Sequence, residues 1–252
     1  MKTGVLQVTD DPDVTLTYYV HDLSNELPNC SFRPAMLVLP GGGYRMCSDR
    51  EAEPIALAYM AEGFNAFVLR YSLREKAAFP KPLNDAEKAL QMILDRAKEW
   101  SVDTRKTAAV GFSAGGHLAA ALGTMGKVKP AALILCYAAT LDSISAIMPA
   151  PVPSLDGLVD ETTPPTFLFS TSADRTVPIE NTLAFARALD RAKVPFEAHI
   201  FQNDTHGISL AKPLTSIGLS NLADPVVAQW FKMSVDWLHM VLGDFDCSKT
   251  SL

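Results

Sequence analysis

Ser113 stands in Gly111-Phe112-Ser113-Ala114-Gly115, the spacing G-x-S-x-G. A serine hydroxyl attacks an acyl carbon only when a base takes its proton and a third group orients that base. The flanking glycines suit a sharp turn from strand to helix, where a Cβ would push two backbones apart. Five small residues recur by chance, so the context decides. An apolar run at residues 107–111 precedes the serine, and a small-residue helical run at residues 114–122 follows it. That is the setting of a nucleophile elbow, which puts Ser113 in a strained conformation with its hydroxyl exposed. Gly116 continues the small-residue run, and a helix N-terminus favours negative charge developing beside it.

Five histidines compete for the role of base: His21, His117, His199, His206 and His239. The elbow arrangement takes its partners in the chain order serine, acid, histidine. His21 precedes the serine. His117 falls on the helix after the elbow, where it packs or caps locally; His199 falls inside a strand and His239 inside the last helix. His206, in Asn203-Asp204-Thr205-His206-Gly207, lies in a loop just past a strand at residues 196–201. It is the candidate base, against the plainer reading of a surface-loop histidine. Asp174 lies in Ser172-Ala173-Asp174-Arg175-Thr176-Val177-Pro178, directly after a strand at residues 166–171. Its expected role is to accept the second imidazole N–H; its plainer role is to cap the helix that starts near Pro178. Asp156 and Asp160 are rivals, but they follow no strand.

A tetrahedral oxyanion needs backbone N–H donors, and glycines let the backbone come close. Pro40-Gly41-Gly42-Gly43-Tyr44 follows the strand at residues 35–39. Gly42 and Gly43, with Ala114 after the nucleophile, are the candidate donors. A phosphate cradle is the competing reading, but neither GxxxxGK[ST] nor GxGxxG is matched; a plain turn is another. Tyr44 and Arg45, with the loop around residues 149–160, are candidates to line the substrate pocket on loop position alone, and packing on the sheet edge is the equal alternative for Tyr44. No HExxH and no Cys/His cluster occurs, so neither a metal nor a cofactor is expected.

These residues need strands to end beside one another. The strands expected at residues 14–20, 35–39, 64–71, 107–111, 131–137, 166–171 and 196–201 alternate with helices. The helices are expected at residues 50–62, from a capping box of Asn84 and Glu87 to near Trp100, and at 114–122, 178–192 and 225–242. Pro225 fits the first turn of the last helix and Gly243 its stop. Such alternation predicts an α/β fold, a mostly parallel central sheet with helices on both faces, and functional groups at the carboxyl ends of the strands. Residues 140–165 hold five prolines and break the rhythm. They read as an insertion or lid-like loop within one domain spanning residues 1–252.

Composition agrees. The 252 residues are 48% hydrophobic and 20% charged, an ordinary globular balance. The net charge of −6 and the scatter of Lys and Arg argue against a nucleic-acid partner. Residues 1–13 carry no apolar signal core, and no apolar run is long enough to span a bilayer. Cys30, Cys47, Cys136 and Cys247 are widely spaced, which fits reduced thiols in a cytoplasmic protein. The oligomeric state is open, and a homo-oligomer is compatible with the sequence.

The motifs PGGGY, LRYSL (residues 69–73), GFSAGGHLA, SADRTVP and HGISLA follow one another in this order. Together, across residues 35–242, they resemble α/β-hydrolase esterases of the acetylxylan esterase and carbohydrate-esterase kind, near the hormone-sensitive-lipase-like group. The resemblance implies an α/β-hydrolase fold, a triad of Ser113, Asp174 and His206, and oxyanion donors at Gly42, Gly43 and Ala114. It implies removal of acetyl or other short acyl groups from sugars or xylo-oligosaccharides. The lipase-like relatives begin the oxyanion loop with histidine where this chain has Pro40, which favours the carbohydrate-esterase branch. Asp204 stands where that branch often has glycine. Hydrolysis of an aryl formamide or a peptide is the alternative within enzymes, and a ligand receptor on the same scaffold the alternative outside them. A lipase is disfavoured, because no long apolar lid segment is present.

Overall fold

Alternate residues of the central strands enter different cores, and this sets the layers. The computed structural model describes residues 1–203 and 205–247, apart from the side chain of Ile147. Its strands are β1 Lys2–Gln7, β2 Thr15–Val20, β3 Arg33–Leu39, β4 Asn65–Arg70, β5 Val102–Phe112, β6 Ala132–Cys136, β7 Thr166–Thr171 and β8 Phe196–Phe201. Its helices are α1 Glu53–Ala61, α2 Lys81–Asp95, α3 Ala97–Trp100, α4 Ala114–Thr124, α5 Glu180–Ala192 and α6 Gln229–Leu242. Leu37, Leu39, Ala109, Leu133 and Leu135 pack into one core with Leu90 of α2, Leu118 of α4 and Phe185 of α5. Met36, Val38, Val110 and Ile134 pack into the other with Tyr59 of α1 and Trp230 of α6. Each such leucine or isoleucine, fully buried, contributes about 1.5–3 kcal/mol to folding. A sheet apolar on both faces must be covered on both, which is why strands and helices alternate.

The sheet order is β1-β2-β4-β3-β5-β6-β7-β8. From β4 to β8 all neighbours are parallel, while β2 pairs antiparallel with β1 and with β4. The fold is therefore α/β with a mostly parallel sheet and helices on both faces, as expected. β3, β5, β6, β7 and β8 end on one side, and the segments carrying Gly42, Ser113, Tyr137, Asp174 and His206 leave from those ends.

Several local expectations change. β1 was not expected: its residues are largely exposed and alternate weakly, so it carries no core-facing pattern. Asn84 and Glu87 form no capping box. α2 begins earlier, with proline in its first turn and no side-chain cap, and Glu87 instead accepts the Lys127 N–H. The chain breaks at Arg96, so α3 is separate. The segment expected as a helix from residue 50 is a 3₁₀ turn at Asp49–Glu51 followed by α1. Pro225 lies in a turn before α6, where Asp224 Oδ1 accepts the N–H groups of Val226 (2.8 Å) and Val227 (3.2 Å).

Residues 140–165 carry 3₁₀ turns at Asp142–Ile147 and Asp156–Leu158. They pack down rather than standing clear. Ile144, Met148, Val152 and Leu155 are buried in the core that holds α4 and α5. Thr140 Oγ1 donates to the Asn181 carbonyl (2.7 Å), and Leu141 N–H donates to Asn181 Oδ1 (2.9 Å).

Candidate active site

Ser113 joins β5 to α4 with φ 52° and ψ −116°, a conformation that costs an L-residue about 1–3 kcal/mol. The surroundings hold it there. Its N–H donates to the Cys136 carbonyl (3.0 Å), and its own carbonyl accepts from His117 N–H (3.0 Å) and Ala139 N–H (3.2 Å). A Cβ on Gly111 would collide with the Gly115 carbonyl, and one on Gly115 with the Leu39 carbonyl. Only glycine lets the three segments meet.

Ser113 Oγ lies 2.9 Å from His206 Nε2, and His206 Nδ1 lies 2.6 Å from Asp174 Oδ2. An ionised carboxylate only accepts, so Nδ1 carries the proton and Nε2 is free to accept from the serine hydroxyl. The Asp174 side chain has no exposure. Its Oδ1 accepts the N–H groups of Thr176 (2.8 Å) and Val177 (2.9 Å) in the turn before α5, whose own N-terminus has no side-chain cap, so Asp174 holds that turn and does not cap the helix. Thr171 Oγ1 donates to the Thr205 carbonyl (3.0 Å), tying the end of β7 to the His206 loop. Asp204, two residues before the histidine, lies outside the described residues.

Gly42 and Gly43 have φ of 129° and 63°, values that favour glycine. Their N–H groups, and that of Ala114, make no hydrogen bond among the described residues. A cleft of about 410 Å³ opens over Ser113, with Gly42, Gly43, Arg45 and His206 in its wall and Ile144, Met148 and Val177 on an apolar side. The geometry offers an acyl carbon a hydroxyl, a base and unpaired donors on one side of the sheet.

Tyr44 is a correction. It does not line the cleft; it is 1% exposed. Its hydroxyl lies 2.9 Å from His117 Nδ1, and its ring meets Tyr71 edge-on. Tyr44 itself has a positive φ of 56°. His117 Nε2 faces the Pro153 carbonyl at 3.0 Å, and burial lowers the His117 ring to about 4. His199 pairs with Glu197, and His239 stacks on Phe64. Asp160 holds its own turn through Thr162.

Two neighbours of the site escaped the sequence reading. Glu51 is buried; its Oε2 accepts Gly41 N–H (2.9 Å) and its Oε1 accepts the Tyr137 hydroxyl (2.6 Å). Arg50 Nη1 donates to the carbonyls of Gly207 (2.9 Å) and Thr215 (3.1 Å). Both stood in a segment that reads as an amphipathic helix, and their partners are distant in sequence. No local pattern marks them.

The BD-FAE family model matches residues 26–144, and that of the prolyl oligopeptidase family matches residues 137–218. MGS-M1, an alpha/beta hydrolase enzyme from a Medee basin deep-sea metagenome library, is 46% identical with a TM-score of 0.91, covering 96% of this chain and 98% of its own. An acetyl ester-xyloside bifunctional hydrolase from Caldicellulosiruptor lactoaceticus is 30% identical with a TM-score of 0.82, covering 95% of this chain and 97% of its own. Endo-1,4-beta-xylanase B of Butyrivibrio fibrisolvens is 34% identical over 209 residues, 71% of this chain and 33% of its own length. The chain spans a third or less of the curated relatives it matches. Among the described residues, no helix is long and apolar enough to cross a membrane. Sheet order, the turn at Ser113 and near-complete coverage at 46% identity agree: the chain belongs to the α/β-hydrolase superfamily.

Proposed function

We propose that the chain is a serine esterase that removes acetyl or other short acyl groups from sugars or xylo-oligosaccharides. The observation that carries the reading is the line of contacts from Ser113 Oγ through His206 to the buried Asp174. Ser113 attacks the acyl carbon as His206 Nε2 takes its proton, and Asp174 stabilises the imidazolium. The N–H groups of Gly42, Gly43 and Ala114 receive the oxyanion. His206 returns the proton to the leaving alcohol, and water then repeats the cycle on the acyl-enzyme. The chemistry needs no metal or cofactor.

The cleft supports a short acyl group and a polar alcohol. Ile144, Met148 and Val177 form an apolar wall, while Arg45 and Ser48 present polar groups. The acetyl ester-xyloside hydrolase among its relatives supports a sugar as that alcohol. The prolyl oligopeptidase match over residues 137–218 supports a second reading, hydrolysis of an amide, because that span contains Asp174 and His206.

Acetate release from acetylated xylo-oligosaccharides tests the reading, run beside p-nitrophenyl acetate, butyrate and octanoate, an N-formyl aromatic amide and a prolyl peptide. Short esters and the oligosaccharides should turn over, with octanoate slowest. Amide cleavage without ester cleavage would select the second reading.

A further inference from the structure

The buried carboxylates among the described residues are Glu51, Asp85 and Asp174. Asp174 meets His206, and Asp85 receives Ser72 N–H away from the cleft. Glu51 borders the cleft, and the chemistry above assigns it nothing. Burying a carboxylate is costly unless donors surround it, so its partners show what it is held for.

Those partners connect the two loops that must cooperate: Gly41 lies in one, and Tyr137 contacts the other. Gly41, next to the proposed oxyanion donors, gives its N–H to Oε2. Tyr137, at the end of β6, gives its hydroxyl to Oε1. The Tyr137 oxygen in turn accepts Ser209 N–H (2.9 Å), three residues past His206, so its own hydrogen is directed at Glu51. The Tyr137 ring packs edge-on against the imidazole at 5.2 Å. Ser209 Oγ also donates to the Arg50 carbonyl (2.6 Å). Both Glu51 oxygens thus face donors, a pattern an ionised carboxylate satisfies.

We propose that Glu51 is a positioning residue: its carboxylate holds the glycine loop and the His206 loop in one fixed relation through Gly41 and Tyr137, and its negative charge favours the imidazolium that His206 becomes in turnover. Its effect on rate rests on the esterase reading; its effect on the imidazole does not. Burial is the largest influence and holds the Glu51 carboxyl above the usual carboxylate range, against the Tyr137 hydroxyl, Gly41 N–H, Arg50 and His206, which pull it down. The groups around the imidazole are Ser113 at Nε2, Asp174 at Nδ1, Tyr137 at the ring edge with Glu51 behind it, and Arg50 at the neighbouring Gly207 carbonyl. Arg50, of opposite sign, is unchanged in the comparison below.

The test is Glu51→Gln. One amide cannot accept from both donors, and the charge is gone. The His206 imidazole resonance, assigned by its loss in His206→Asn, is followed against pH by NMR in the wild-type chain and the variant, alongside kcat and KM for p-nitrophenyl acetate. The His206 midpoint should fall by about half a unit or more. The turnover number should fall about tenfold or more with KM within about threefold, because the loss lies in the transition state. A His206 titration that does not move overturns the proposal, whatever the rate. Absence of esterase activity in the wild-type chain would overturn the esterase reading instead, and the NMR arm would still decide the role of Glu51. If Glu51→Gln does not fold, Tyr137→Phe serves. It removes the hydroxyl that joins Glu51 to the Ser209 N–H and so moves the His206 midpoint; an unmoved midpoint again overturns the proposal.

Discussion

Asp174 presents Oδ2 to His206 Nδ1 at 2.6 Å while its Oδ1 is held by the N–H groups of Thr176 and Val177. The two oxygens are therefore not interchangeable, and this fixes what an amide would do in their place. In Asp174→Asn the amide oxygen stays with the two N–H donors and the NH₂ faces His206. The imidazole then holds its proton on Nε2, where it cannot accept from Ser113. The expected result is a fall in kcat of roughly 10⁴-fold with KM little changed. A wild-type kcat in a folded Asp174→Asn chain would remove Asp174 from the mechanism.

His117 predicts a loss of stability in mild acid. Its folded ring titrates near 4 because it is buried, against 6.5 for an ordinary histidine. Between those values the unfolded chain binds a proton that the folded chain refuses, so stability falls as pH drops from about 6.5 towards 4 and is unaffected by this group above that range. The shift corresponds to about 3 kcal/mol at its fullest. His21, lowered by burial and by Arg33, adds in the same direction. The unfolding midpoint against pH should slope less steeply in His117→Gln than in the wild-type chain; parallel curves would contradict the assignment.

The glycines of the site should separate by what surrounds them. An alanine Cβ at Gly111 meets the Gly115 backbone, whereas at Gly43 the nearest atom is Met148 Sδ at 4.0 Å. Gly111→Ala should prevent formation of the folded chain. Gly43→Ala should fold and lose about 1–2 kcal/mol for its left-handed φ. Denaturant unfolding of both variants checks this, and equal stabilities would contradict it.

The central sheet was legible in the chain because its strands are short apolar runs that end where polar or glycine-rich segments begin. Ser113, Asp174 and His206 each follow a strand, and the structure brings their side chains together at the ends of β5, β7 and β8. Thr166–Thr171 and Phe196–Phe201 keep their expected limits. What escaped depended on contacts across the fold. β1 is held by pairing with β2 along its length, with Leu6 alone of its residues packed against the core. Asn84 and Glu87 have the spacing of a cap, but the helix was already under way from Lys81. Tyr44 follows a glycine loop, as a cleft residue would, yet its hydroxyl meets His117, 73 residues away. Glu51 reads as one more charge on a helix until Tyr137, 86 residues on, is placed against it.

Hydrolysis of p-nitrophenyl acetate by the wild-type chain and by Ser113→Ala is the most direct test of the account. The hydroxyl 2.9 Å from His206 is the only atom that substitution removes from the contact line. The wild-type chain should turn the ester over, and Ser113→Ala should lose roughly 10⁵- to 10⁶-fold in kcat while folding normally. Equal rates for the two folded proteins would contradict a serine nucleophile at this site.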